Sequence, residues 1–237
     1  MQTTFISSQT IAEGTMLFKL KKPADFIYKA GQSIDLSLVN PSETDAEGNT
    51  RAFSLVSAPA NEYLAIATRM RDTAFKRVLK NMTPGTELSI GGPFGDMTLH
   101  ENIKRAAVFL AGGIGITPFR AMAVDATERN LPHKITLFYS NRRPEDAAFL
   151  EELSHLPEQN LNFMFVGTMT DMSTSTREWS GERGYINAGM LKKYVDAASM
   201  PIYYIAGPAA MVAAVRKMLN ENGVSNDDIR AEEFSGY

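Results

Sequence analysis

Val108-Phe109-Leu110-Ala111-Gly112-Gly113-Ile114-Gly115-Ile116-Thr117-Pro118 is the stretch on which the reading of this chain turns. An unbroken apolar run enters a glycine-rich turn, and a proline then stands in the first turn of a helix. Glycines let a ligand approach the backbone, and the free N–H groups at a helix start attract phosphate. The stretch is neither the lysine-bearing phosphate loop G-x-x-x-x-G-K-[ST] nor G-x-G-x-x-G. Standing alone, it also fits a glycine-rich turn that binds nothing.

Downstream of this turn, strand and helix patterns alternate. Lys134–Tyr139, Leu161–Val166, Ile202–Ile205 and Ile229–Phe234 read as strands, and Thr117–Glu128, Glu145–Leu153, Ala188–Asp196 and Ala209–Asn222 as helices. Such alternation predicts a doubly wound α/β domain around a parallel sheet. Upstream the pattern is different. Thr3–Ile11, Thr15–Lys21, Ser33–Val39, Ala52–Val56, Tyr63–Thr68 and Glu87–Ile90 are short strands separated by turn residues, with one helix over Thr73–Met82. They predict an antiparallel β-barrel. The expected organisation is two domains, 1–102 and 103–237, joined near Leu99–Arg105.

Composition narrows the chemistry. The 237 residues carry a formal net charge of −3, with 44% hydrophobic and 22% charged residues. No basic field exists to hold nucleic acid. No apolar run approaches the roughly 20 residues of a membrane span, and no leader-like start is present, so a cytoplasmic protein is expected. The absence of cysteine removes disulfides, thiolate metal sites, catalytic thiols and cysteine-ligated iron–sulfur clusters. His100, His133 and His155 are far apart in sequence and read as scattered surface histidines, so no metal site is expected.

Further motifs follow one another in a fixed order. Arg51-Ala52-Phe53-Ser54 lies on a barrel strand, so Arg51 and Phe53 face one way and Ser54 the other. This places a guanidinium, an aromatic face and a hydroxyl close together. Then come Gly91-Gly92-Pro93-Phe94-Gly95, the Gly112–Pro118 turn, Ser140-Asn141-Arg142-Arg143 and Ala206-Gly207-Pro208.

The ordered series resembles the ferredoxin–NADP reductase superfamily over nearly the whole chain. The resemblance implies a barrel that holds FAD, with FMN less favoured, and an α/β domain that holds a nicotinamide dinucleotide. Arg51 would pair with the flavin pyrophosphate, Phe53 would stack on the isoalloxazine where relatives often have Tyr, and Ser54 would hydrogen-bond near flavin N5. Ile66, Thr68, Thr73 and Ala74 would line the ribityl and diphosphate. Gly112, Gly113, Gly115 and Thr117 would cradle the coenzyme phosphates, with Gly207 beside them. Relatives often carry Cys where Ala206 stands.

Ser140 and Arg142 follow the second parallel strand, where the adenosine ribose is expected. A cation there suits a 2′-phosphate, so Arg142 with Arg143 favours NADPH over NADH. Phe234 or Tyr237 would shield the flavin, and Glu233 would join Ser54 in proton traffic at N5. The implied activity is hydride transfer from NAD(P)H to bound flavin, followed by electron transfer to an acceptor. That acceptor is a ferredoxin- or flavodoxin-type protein, a haem protein, a ferric chelate or free flavin. Arg69, Arg71, Lys76, Arg77 and Lys80 form either a docking patch or a solvated helix face. A non-catalytic flavin/nicotinamide redox sensor is the competing expectation, because fold alone does not set function. The segment 168–183 reads first as a plain loop, with a mobile lid or a partner surface as the other readings.

Overall fold

The computed structural model describes residues 1–234. Strands β1 (Gln2–Ala12), β2 (Thr15–Lys21), β3 (Ser33–Leu38), β4 (Thr50–Ser54), β5 (Tyr63–Arg69) and β6 (Glu87–Phe94) form an antiparallel sheet in the order β4-β3-β6-β1-β2-β5. Its ends meet: Leu55 bridges Ile66, and the Val56 N–H donates to the Ala65 carbonyl at 2.8 Å. This contact closes the barrel. Period-2 alternation sets its interior, as in β3, where Ile34, Leu36 and Leu38 are buried and Ser33, Asp35 and Ser37 are not. Helix α1 (Ala74–Lys80) begins at Thr73, whose hydroxyl accepts the Lys76 N–H, and it sends Phe75 and Leu79 into the barrel core.

The second sheet is parallel: β7 (Ala107–Gly112), β8 (Ile135–Asn141), β9 (Phe163–Met169), β10 (Glu182–Arg183), β11 (Ile202–Pro208) and β12 (Ile229–Phe234), in the order β10-β9-β8-β7-β11-β12. Every residue of β7 is buried, as expected for a strand covered on both faces. Phe109 and Ala111 pack with α2 (Ile116–Glu128) and α3 (Leu150–His155). Val108 and Leu110 pack with α4 (Ala188–Tyr194) and α5 (Ala209–Glu221). The strand order reverses between β7 and β11, and open parallel sheets bind ligands at the strand C-termini at such a point. Residues 95–106 join the sheets.

A small apolar cluster couples the domains. Leu17, Val56, Ala65 and Ala67 of the barrel side are covered by Ile114 and Phe149 from the α/β side. Polar ties flank it: Glu13 N–H to the Glu145 carbonyl at 2.8 Å, Arg120 to the Val56 carbonyl at 2.9 Å, and Arg143 to Glu13 at 2.9 Å.

Two expectations need correction. The helix expected over 145–153 is split into a short turn at Pro144–Asp146 and α3, because Phe149 adopts a left-handed conformation (φ 59°). That bend carries its ring onto the interdomain cluster, with the Arg120 guanidinium 5.5 Å from its centroid. The segment 168–183 is more than a plain loop. It ends in β10, which pairs with Thr168 and Met169, and the Trp179 indole N–H donates to the Glu182 carbonyl at 2.8 Å. The Glu145 carboxylate accepts from the Ser175 hydroxyl, the Thr176 N–H and the Arg177 N–H, which ties the loop down.

Candidate coenzyme and flavin site

The glycine turn stands at the switch point. Gly113 lies in the left-handed region (φ 51°), where a side chain would be strained. A Cβ on Gly115 would sit 2.2 Å from the Ala206 carbonyl oxygen, so only glycine lets the turn close over β11. The Thr117 hydroxyl is engaged within the turn, donating to the Ile114 carbonyl at 3.0 Å. Ala206, at the end of β11, is fully buried beneath it.

Beside the turn opens a cleft of about 700 Å³, lined by Gly112, Gly113, Ser140, Asn141, Arg142, Thr170, Tyr185, Met211 and Val215, with Arg69 reaching in from the barrel. Ser140 and Arg142 therefore lie together with the glycine turn. Arg142 is largely exposed (69%) and, among the described residues, makes only a long side-chain contact to Asp146 at 3.8 Å. Arg143 is structural instead, because Glu13 and Asp146 hold it at 2.9 and 3.1 Å. Of the two arginines assigned to coenzyme choice, Arg142 alone lines the cleft.

The cleft also contains side chains that the sequence reading did not assign to it. Asn141 is buried, and among the described residues both ends of its carboxamide lack a hydrogen-bond partner, as does the buried Nε of Arg69. Unmet polar groups of this kind each cost about 1–3 kcal/mol, which a polar ligand would recover. They fit an anionic, hydroxyl-rich coenzyme. Tyr185 lies at the cleft and is 79% exposed.

On the barrel side, Phe53 is half-buried against Phe75, with ring centroids 5.9 Å apart, and the Arg51 guanidinium lies 5.2 Å from the Phe75 centroid. Ser54 is buried at the end of β4. Thr68 is also buried, and its hydroxyl donates to the Arg69 carbonyl. Ile66 departs from the expectation: its side chain is sealed in the barrel core with Phe18 and Leu20, so only its backbone can approach a flavin. Thr73 and Ala74 form the start of α1, with Lys76 half-buried behind them.

β12 runs beside β11, pairing Ala206 with Glu232, Gly207 with Glu233 and Pro208 with Phe234. Phe234 packs against the α/β core at this edge, while Tyr237 lies outside the described residues. Glu233 is exposed and Glu232 is half-buried. Burial, reinforced by the charge of Asp96, holds the Glu232 carboxyl above the usual carboxylate range. For proton traffic at this edge, Glu232 is the better placed of the two.

His155 is exposed, as expected, but the other two histidines are not at the surface. His100 and His133 are buried together, with rings 5.2 Å apart. His100 bonds the Tyr204 hydroxyl and the Arg105 carbonyl, and His133 bonds the His100 carbonyl. Among the described residues, no group of three or more metal-ligating side chains occurs, and no helix is long and apolar enough to cross a membrane.

Barrel, switch-point sheet and cleft together make a two-domain fold of the ferredoxin–NADP reductase type. Residues 109–217 match the model of the family described as the oxidoreductase NAD-binding domain. The chain is 28% identical over 223 residues to the glycine betaine monooxygenase reductase subunit of Chromohalobacter salexigens, which covers 93% of this chain and 60% of the relative. It thus spans less than two thirds of that relative. The flavohaem-like FAD/NAD-binding domain of nitric oxide dioxygenase from Vibrio cholerae superposes over 98% of both chains, with a TM-score of 0.82 and 22% identity. A ferredoxin–NADP+ reductase from Neisseria gonorrhoeae with bound FAD and NADP superposes over 98% of both, with a TM-score of 0.77 and 21% identity. At such identities these two likenesses are of fold.

Proposed function

We propose that this chain is an NAD(P)H-dependent flavin reductase, with the nicotinamide dinucleotide in the cleft beside β7 and FAD against β4, β5 and α1. The observation that carries the reading is the glycine turn, which stands at the switch point, at the mouth of the cleft and against β5 of the barrel. FAD supplies hydride acceptance at N5 and the release of electrons to an acceptor.

The chain's own residues bind and orient. Backbone N–H groups of Gly113 and Gly115 and the Arg69 guanidinium would hold the coenzyme diphosphate, with Gly112, Thr117 and Gly207 shaping the cradle. Ser140, Asn141 and Arg142 would meet the adenosine end, and Arg142 favours NADPH. Arg51, Thr73 and Ala74 would hold the flavin diphosphate, while Phe53 and Phe234 would exclude water from the ring. Ser54 would donate a hydrogen bond at N5, and Glu232 rather than Glu233 would hold a proton nearby. Fixing the reactants in this way contributes about 7–11 kcal/mol to a bimolecular step.

The relative's designation as a reductase subunit supports a separate protein as the electron acceptor, with a haem protein, ferric chelate or free flavin as the other classes. Use of a nicotinamide coenzyme as hydride donor supports a cytoplasmic location. The test is anaerobic addition of NADPH, and separately NADH, to the FAD-loaded chain. Bleaching of the oxidised flavin band supports the proposal; a bound flavin that neither coenzyme reduces would refute it.

A further inference from the structure

The loop from Asn40 to Asn49 carries three carboxylates, and two of them sit on the arginine assigned to the flavin diphosphate. Arg51 Nη2 pairs with Asp45 at 3.2 Å and with Glu47 at 2.9 Å. Its Nη1 donates to the Glu47, Gly48 and Thr50 carbonyls at 2.9, 3.0 and 2.8 Å. The other Asp45 oxygen accepts the Ala74 N–H at 3.2 Å. Glu43 fastens the same loop to α1 through Arg77 at 2.6 Å.

One carboxylate therefore spans the same two donors, the Arg51 guanidinium and the Ala74 N–H, that a diphosphate would use. The surroundings are cationic. Burial pushes the Lys76 ammonium down, and the neighbouring Arg71 and Arg51 push it further. The loop carboxylates offset this crowding, much as a phosphate would. At its base the loop is held by Leu38 and Asn49 through backbone and side-chain bonds of 2.9 and 2.8 Å that do not involve the acidic tip, so displacing the tip does not unpair β3 from β4.

We propose that Asp45 is an internal competitor for the flavin diphosphate, so that FAD loads by displacing the Asp45 loop and is held exchangeably. The inference rests on the flavin reading above. Loading then involves trading one anion for another on Arg51 rather than filling a bare cation. A flavin without phosphate does not take part in that exchange.

The test is fluorescence titration of the flavin-free chain with FAD and with riboflavin, in the wild type and in Asp45→Asn, Asp45→Ala and Glu47→Gln. FAD should bind about three- to tenfold more tightly to both Asp45 variants, and by a smaller factor to Glu47→Gln. Riboflavin affinity should be unchanged throughout. FAD binding that is unchanged or weaker in both Asp45 variants, with riboflavin still bound, overturns the inference and leaves the flavin site standing. Equal tightening of FAD and riboflavin also overturns it, because the loop would then be a steric cover. If no variant binds any flavin, the flavin reading falls and this inference with it.

Discussion

Gly115 and Ala206 are locked together: the turn after β7 lies so close to the end of β11 that a Cβ on Gly115 would meet the Ala206 carbonyl oxygen at 2.2 Å. The obstacle is backbone, which cannot rotate aside. Gly115→Ala should therefore destabilise the chain by about 2–4 kcal/mol, as overpacking and backbone strain combine. A lowered urea midpoint measures this. A variant with the parent midpoint would mean that the turn is not seated on β11.

The Asn141 carboxamide is buried, and neither end has a hydrogen-bond partner among the described residues. Asn141→Leu should stabilise the coenzyme-free chain by about 1 kcal/mol, because an unmet polar group is replaced by an apolar one of similar size. The same change should raise the coenzyme KM. Thermal melts with and without NADPH separate the two effects, and a destabilised free chain would show that the carboxamide already has a partner.

Arg142 lines the cleft with little to hold it. Loss of a charge-assisted hydrogen bond to a 2′-phosphate costs about tenfold or more in affinity. Arg142→Ala should raise the KM for NADPH by that factor and leave NADH unchanged. Equal effects on both coenzymes would remove Arg142 from the choice between them.

Ser54→Ala should slow single-turnover flavin reduction without emptying the flavin site, because the hydroxyl is assigned to N5 and not to the diphosphate. An unchanged reduction rate would end that assignment.

Glu145 links pH to the 170–181 loop. Burial alone would raise its carboxyl, but hydrogen bonds from its own N–H, the Thr176 N–H and the Ser175 and Thr176 hydroxyls outweigh it and hold the group at about 2, against an ordinary 4.5. A lowered folded-state value means that the contribution is fully present above pH 4.5 and is lost as pH falls from 4.5 through 2. Trp179, the only tryptophan, lies in this loop. Its emission should shift to the red over that interval, and Glu145→Gln should show the shifted spectrum already at neutral pH. A wild-type spectrum that stays constant down to pH 2 would contradict this.

The fold was legible because its signals are local. Uninterrupted apolar runs mark strands such as β7, alternation marks strands such as β3, and glycine, asparagine and proline mark the turns. Much of the cleft lining was equally legible, since Gly112, Gly113, Ser140 and Arg142 all lie at or just past the ends of strands. What escaped depends on long-range contact. Nothing in Arg142-Arg143 says that Glu13, in the turn after β1, claims the second arginine. Phe149 sits in an ordinary helical pattern, and only the barrel surface opposite explains its left-handed bend. The His100–His133 pair is made by residues 33 positions apart, brought together by packing. Asn141 was visible in its motif, but its unpaired burial was not.

The cluster shared by the halves bears on ancestry as well as on stability. Leu17, Val56, Ala65 and Ala67 are shielded by Ile114 and Phe149 of the neighbouring domain, so a barrel cut free would carry an apolar scar. Such a scar invites aggregation. Genetic shuffling that joined this barrel to a different nucleotide domain would have to bring a matching pair of apolar residues, one on the glycine turn and one before α3. The two domains are in this sense inherited as a set.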